Sequence, residues 1–391
     1  MTNPAQPVSR TYVEFDEKFL EPGSGEGEVI DKIVERLRRN NEWTFKKYKH
    51  GLRDAHSKSH AVVRGELVVD SALDPQLAQG LFATLEKRYD VIARISSTFP
   101  TIRSDQIRGI RAIAIKVLDV QGSRARKDNV STQDFVLVNH STFPYAGARA
   151  YLQKAMWVAW LLARVPDWLL KPFTESLAWV VSFFHIPVPY AVKLLIQPNY
   201  EILGLHFSSA SAVRYGDYVA KISLVPLSEP VTELEEKPIP PNGGDDVHRA
   251  QIAEFFANNS AEYEVQVQLC TDARTIEDAR LEWSDSPQRV AKIVFPQQNS
   301  DCFCRRVYAD DLLSFNSWTA LEDHTPLGSI NRLKAKVYDA SSVFRHTKNN
   351  APRIEPTDIA QLPLCKPGQQ PPCATAQQPP DNPGQQQGQS I

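Results

Sequence analysis

A net charge of −2 over 391 residues gives no electrostatic footprint for nucleic acid, and no basic block interleaved with aromatics supplies one locally. Apolar residues at 42% and charged residues at 23% are the proportions of a globular protein, one large domain or two ordinary ones. The five cysteines, Cys270, Cys302, Cys304, Cys365 and Cys373, form neither Cys-x-x-Cys pairs nor an even framework, which speaks against zinc and disulfide scaffolds and suits a reducing compartment.

Residues 1–28 read as an irregular arm ending in the glycine-rich turn from Gly23 to Gly27. Its start, MTNPAQPVSRTYVEFDEKF, has no apolar stretch and no transit-type pattern, so a cytoplasmic location is expected. Helical spacing follows through Ile30, Ile33, Val34, Leu37 and Trp43. A β-rich run from Ala61 to Val69 leads to a short helix opened by Asp74 and Pro75. Strand patterns then recur at Val91 to Ser97, Ala112 to Val120, Phe135 to Asn139, Ile202 to Ser208, Tyr218 to Val225, Tyr263 to Leu269 and Val290 to Phe295. Many strands and few intervening helices point to an α+β protein, an antiparallel sheet or barrel with helices attached, its core spanning 29–350.

Two segments differ in composition. Tyr145 to Ile196 contains Trp157, Trp160, Trp168, Trp179, Phe173, Phe183 and Phe184, but its longest uncharged run, Ser176 to Val192, contains Pro187 and Pro189. That run falls short of the roughly 18 to 20 residues of a spanning helix. The segment reads either as a helical hairpin packed on the sheet or as an interfacial patch making a peripheral membrane contact. From 351 onward, and above all from Gln361, the chain becomes rich in Pro, Gln and Gly; a disordered tail is expected.

The run His324 to Lys348 forms a helix in which Lys334, Tyr338 and Arg345 fall within about 40° of one another, and Ile330, Leu333, Val337 and Phe344 make a separate apolar stripe. Gly328 and Ser329 supply a start, and Asn349 to Pro352 a stop. The candidate acid/base is His60, at the entry to a strand. His56 lies four residues earlier, a helical metal-pair spacing, but no third ligand accompanies the two.

Arg94 to Ser97 (RISS), Arg111 to Lys116 (RAIAIK), Phe135 to Asn139 (FVLVN) with Phe143 just beyond, and the Tyr338 helix follow His60-Ala61 in order. That order resembles the catalase superfamily of haem proteins, from about Ser59 to Arg345. The resemblance implies a catalase-like barrel enclosing haem b, with Tyr338 as the iron ligand and His60 as the distal acid/base. It also implies Asn139 as a distal donor, Ser96 orienting His60, Arg94 and Arg345 on the haem propionates, and Phe143 and Lys334 among the cofactor-binding residues. A phenolate oxygen suits ferric iron, and the cations Lys334 and Arg345 would favour its formation.

Departures from the pattern are informative. Lys334 stands where catalases place an Arg, a point charge in place of a planar fork. Ser57 stands where an Arg is expected three residues before the distal His. Ser59 places a hydroxyl beside His60, as in relatives that rearrange fatty-acid hydroperoxides. The expected activity is therefore a haem oxidoreductase acting on organic or fatty-acid hydroperoxides, as peroxidase, lyase or allene-oxide-type rearrangement. True catalase activity on hydrogen peroxide is the alternative, and a non-catalytic haem-binding or membrane-surface protein the alternative of another class.

Overall fold

The period-two runs of the sequence resolve into one antiparallel sheet in a computed structural model that describes residues 11–364. Its strands are β1 (Lys58–Val69), β2 (Arg88–Ser97), β3 (Arg111–Val117), β4 (Gln133–Val138), β5 (Phe207–Ser208), β6 (Val213–Tyr215), β7 (Tyr218–Pro226), β8 (Ala261–Leu269) and β9 (Gln288–Phe295). The order β5-β4-β3-β2-β1-β9-β8-β7 is joined end to end by a β5–β7 pairing, so eight strands close into a barrel and β6 is added beside β7. Closure removes the edges an open sheet would expose.

The barrel interior is filled. Val63, Leu67, Ala93, Ile113, Ile115 and Val265 belong to one continuous buried cluster. β8 alternates buried and half-buried positions along its whole length, the pattern of a strand with one covered face. β3 is buried at every position, because its second face is covered too. That outer face is made of small side chains: Ala114 pairs with Arg94 and Val136, and Ala112 with Ser96. Lys116 lies on the same face and bonds Asp134 at 2.7 Å and Glu355 at 2.5 Å.

The helices are α1 (Glu26–Tyr48), α2 (Ala148–Lys154), α3 (Met156–Arg164), α4 (Asp167–Phe183), α5 (Tyr190–Ile196), α6 (Glu229–Thr232), α7 (Val247–Asn258), α8 (Arg274–Glu277), α9 (Phe303–Val307) and α10 (Ser329–Lys348). The two apolar stripes read in the sequence meet: Ile30, Ile33 and Leu37 of α1 pack with Leu333 and Val337 of α10 and Ala148 of α2. Burying each such side chain stabilises by about 1.5–3 kcal/mol. α10 begins at Gly328, whose φ is +82° and where an added Cβ would come within 2.1 Å of the Ile276 carbonyl oxygen; only glycine fits there.

Several expectations change. Asp74 and Pro75 open a turn, not a helix, and 202–208 holds a 3₁₀ turn and a two-residue strand. The insert is a series of four helices, α2 to α5, of which α2 and α3 pack against α1. The start of the expected tail is ordered: Ile354 bridges to Leu313 and Leu362 is buried; residues 365–391 lie outside the described residues. Cys302 and Cys304 are each disulfide-bonded, where the spacing of the cysteines spoke against disulfides. Among the described residues, no helix is long and apolar enough to cross a membrane.

His324 sits among the rings of Phe82, Phe135 and Tyr215, where its Nε2 accepts from the Leu81 N–H at 2.9 Å. Burial pushes it down to about 4, and burial also pushes His140 down to about 4. Above the unfolded value near 6.5 both states are neutral; below it the unfolded chain takes up protons that the folded one refuses, so stability falls with pH. Between pH 7 and pH 5 His324 should therefore cost the fold about 2 kcal/mol, seen in urea unfolding as a loss in the wild type that His324→Gln lacks; the same pH dependence in both would contradict this.

Candidate functional site

Between the small-residue outer wall of β2, β3 and β4 and the inner face of α10 lies a cavity of about 670 Å³, part of it open to solvent. The cavity is outside the barrel, since the lumen is packed with apolar side chains. Arg94, Ser96, Ala112, Ala114 and Val136 form its floor, Tyr338, Ser341, Ser342 and Arg345 its roof, and Arg53 to His56 one wall.

Tyr338 reaches the cavity because Val337, beside it, anchors α10 to α1. Its hydroxyl has no hydrogen-bond partner among the described residues. Burial pushes the phenol above its ordinary value, with Asp54 and Tyr151 adding to the effect, so the group by itself stays neutral. The two cations expected beside it are engaged elsewhere. Lys334 donates to Ser211 Oγ at 3.2 Å, and burial pushes it down to about 8. Arg345 donates to the Asp310 carbonyl oxygen, to Leu313 O at 3.0 Å and to Ser314 Oγ at 3.2 Å.

The histidine that lines the cavity is His56, and His60 does not. A bulge between Ser59 and Ala61 interrupts the β1–β2 register, and it aims His60 at the end of the barrel. There His60 Nε2 meets Ser97 Oγ at 2.8 Å and its ring lies edge-on to His248 of α7, centroids 5.1 Å apart. Asp105, Lys58 and Arg111 complete this buried polar plug. His56 instead has a left-handed backbone with φ +59°, an uncommon conformation for a non-glycine residue that clusters at functional sites. Its Nδ1 lies 3.3 Å from Ser96 Oγ. Burial, then Arg94 and Arg53, push it down to about 3, so the imidazole is neutral at physiological pH. The sequence carried a signal for this assignment: Arg53 stands three residues before His56.

One end of the cavity is strongly cationic. Asp310, in a single π-helical turn from Tyr308 to Leu312, accepts from Arg94 Nε at 2.7 Å, Arg53 Nη1 at 3.2 Å and Ser59 Oγ at 2.6 Å. Burial opposes its ionisation, but Arg94, Arg53 and the Ser59 bond hold it below the usual carboxylate range. Arg94 and Arg53 thus share the Asp310 carboxylate while Arg345 donates to its carbonyl oxygen. Asp311 acts on Arg53 and Arg345 from nearby, Arg353 also lines the cavity, and the buried Arg345 Nε has no partner among the described residues.

The other expected site residues are dispersed. Ser96 and Arg94 line the cavity; Ser59 binds Asp310 and not a histidine. Asn139 Oδ1 accepts from the Arg111 N–H at 2.9 Å, and the residue is absent from the cavity lining. Phe143 joins an aromatic cluster with Tyr145 and Tyr151, centroids 6.2 and 6.1 Å away, one layer behind Tyr338.

Solved structures share this arrangement of barrel and helices. Catalase A from Saccharomyces cerevisiae superposes with a TM-score of 0.51 at 15% identity, over 88% of this chain and 68% of that one. A fungal catalase gives 0.53 at 14% identity over 99% and 79%, and a bacterial catalase 0.50 at 12% over 87% and 64%. The fold is catalase-like. No family model matches the chain and no curated protein matches its sequence, so the likeness at these identities is one of fold alone.

Removing the Asp310 carboxylate leaves three guanidiniums facing one another. Because the Asp310 side chain is 31% exposed, Asp310→Ala should cost about 3 kcal/mol, the lower end for breaking a buried ion pair. Urea denaturation checks this, and a loss under about 1 kcal/mol would show the cluster is not held by Asp310.

Proposed function

We propose that the protein is a haem-dependent oxidoreductase acting on peroxides, with organic or fatty-acid hydroperoxides as substrates. The observation that carries this reading is a phenol without a protein partner and a neutral imidazole lining one cavity that ends in clustered guanidiniums. These residues fit haem: Tyr338 offers an oxygen ligand, Ala112 and Ala114 leave room beside the wall, and the surplus charge with the orphaned Arg345 Nε suits a carboxylate-bearing group.

When bound, haem would supply the redox chemistry that cleaves the O–O bond. The chain's own residues supply proton handling and charge. In the tautomer whose Nδ1–H donates to Ser96 Oγ, His56 Nε2 carries a lone pair. It can take the proton of the inner peroxide oxygen and return it to the outer one as that oxygen departs. Arg94 donates to the His56 carbonyl oxygen at 2.8 Å, coupling the position of the imidazole to the cationic cluster. Tyr338, held neutral by burial, would lose its proton on metal ligation, since a cation offsets the desolvation that raises it.

His56 therefore takes the acid/base role expected of His60. Haem-reconstituted His56→Ala should keep a ferric haem spectrum and lose about 10²–10⁴-fold in hydroperoxide turnover, whereas His60→Ala, if folded, should turn over like the wild type. Tyr338→Phe should alter the haem absorption bands. Colourless protein after expression with added haem contradicts the reading, and fast oxygen release from hydrogen peroxide with no lipid hydroperoxide turnover contradicts the substrate class.

A further inference from the structure

The insert carries apolar surface that no described part of the chain covers. Trp157, Trp160 and Leu161 on α3 and Trp168, Phe173 and Trp179 on α4 are 41% to 76% exposed. Their spacing puts them on definite faces: Trp157, Trp160, Leu161 and Arg164 along α3, with Met156 and Ala163 buried opposite. On α4, Trp179 and Phe183 stack at 5.2 Å while Leu170 and Thr174 face inward. Large aromatic side chains exposed in this number on two successive helices mark an interaction surface.

The faces are held rigidly outward. At the α3–α4 junction, Asp167 bonds Arg103, and its Oδ2 accepts from the Ser104 N–H at 2.8 Å. Arg164 lies over Trp43 of α1 at 4.8 Å and over Trp160 at 4.5 Å, and donates to Asn40 Oδ1 at 3.1 Å. The insert is thus clamped to barrel and α1, not a loose arm.

Charge identifies the occupant. Residues 145–196 hold Arg149, Lys154, Arg164, Lys171 and Lys193 against Asp167 and Glu175, five cations less two carboxylates, in a chain whose net charge is −2. Arg164 and Lys171 are matched by the two carboxylates of α4, and the surplus is the exposed Arg149 and Lys154 of α2 and Lys193 of α5. Exposed tryptophans with cations around them are the composition of helices lying in a headgroup layer, while no described helix is long and apolar enough to span.

We propose that the insert docks the protein on the surface of an anionic lipid bilayer, the aromatic rings of α3 and α4 entering the headgroup layer and the exposed cations of α2 and α5 reading its charge. This rests on the insert alone and stands whether or not the cavity holds haem.

Flotation of the full-length protein with vesicles of phosphatidylcholine alone, and of phosphatidylcholine with an equal part of phosphatidylglycerol, tests it. Binding to the anionic vesicles should be about tenfold tighter or more, since each Lys or Arg near such a surface contributes roughly fivefold. It should weaken with added salt, with a blue shift of tryptophan emission on binding. The double variant Trp168→Ser with Trp179→Ser, at exposed positions, should keep the wild-type circular dichroism and lose most of the binding. Absence from both vesicles, equal partition into both, or a dimer in sedimentation that the double variant dissolves, would each overturn the proposal.

Discussion

Asp310 gathers Arg53 from the segment before β1, Arg94 from β2 and Arg345 from α10, with Arg345 bound to its carbonyl oxygen. Three separately folded parts of the chain thus converge on one residue. Burying like charges together is costly unless a counter-charge is present, and the carboxylates of Asp310 and Asp311 do not neutralise three guanidiniums with Arg353 beside them. The cluster therefore fixes the end of the cavity and leaves it attractive to anions. Small side chains do the rest: Ala112 and Ala114 on the outer wall leave the space open between the sheet and α10.

What the sequence made legible is what short-range physics determines. β-rich runs located most of the strands, and apolar stripes on two helices marked the faces that meet in the α1–α10 cluster. The start of α10 was legible because Gly328 occupies a conformation and a contact that only glycine tolerates. The Ala-Ile alternation of RAIAIK already held the shape of the site, small residues outward and large ones inward.

The histidine was harder. His56 and His60 differ by four residues, and the backbone decides between them: a bulge turns His60 to the barrel end, and a left-handed turn puts His56 at the cavity. Neither feature has a periodic signal. Helical phase grouped Lys334 with Tyr338 and Arg345, yet a long flexible lysine follows its nearest oxygen, Ser211. The α7 helix that plugs the barrel was missed among Pro- and Gly-containing flanks, although His248 on it explains where His60 goes. The filled lumen likewise follows from tertiary closure, which no local pattern announces.

The proposed chemistry and the proposed docking surface are joined through α1, which touches the insert by Trp43 and packs on the Tyr338 helix. A protein resting on lipid by α3 and α4 would hold its cavity near the layer from which fatty hydroperoxides come. The central claim, that the space between α10 and the barrel wall is where haem binds, is tested most directly by filling it. Titration with haem, followed by absorbance, should give a bound ferric spectrum for the wild type. Ala114→Trp, folded by circular dichroism, should bind none; equal uptake by the filled variant would contradict the account.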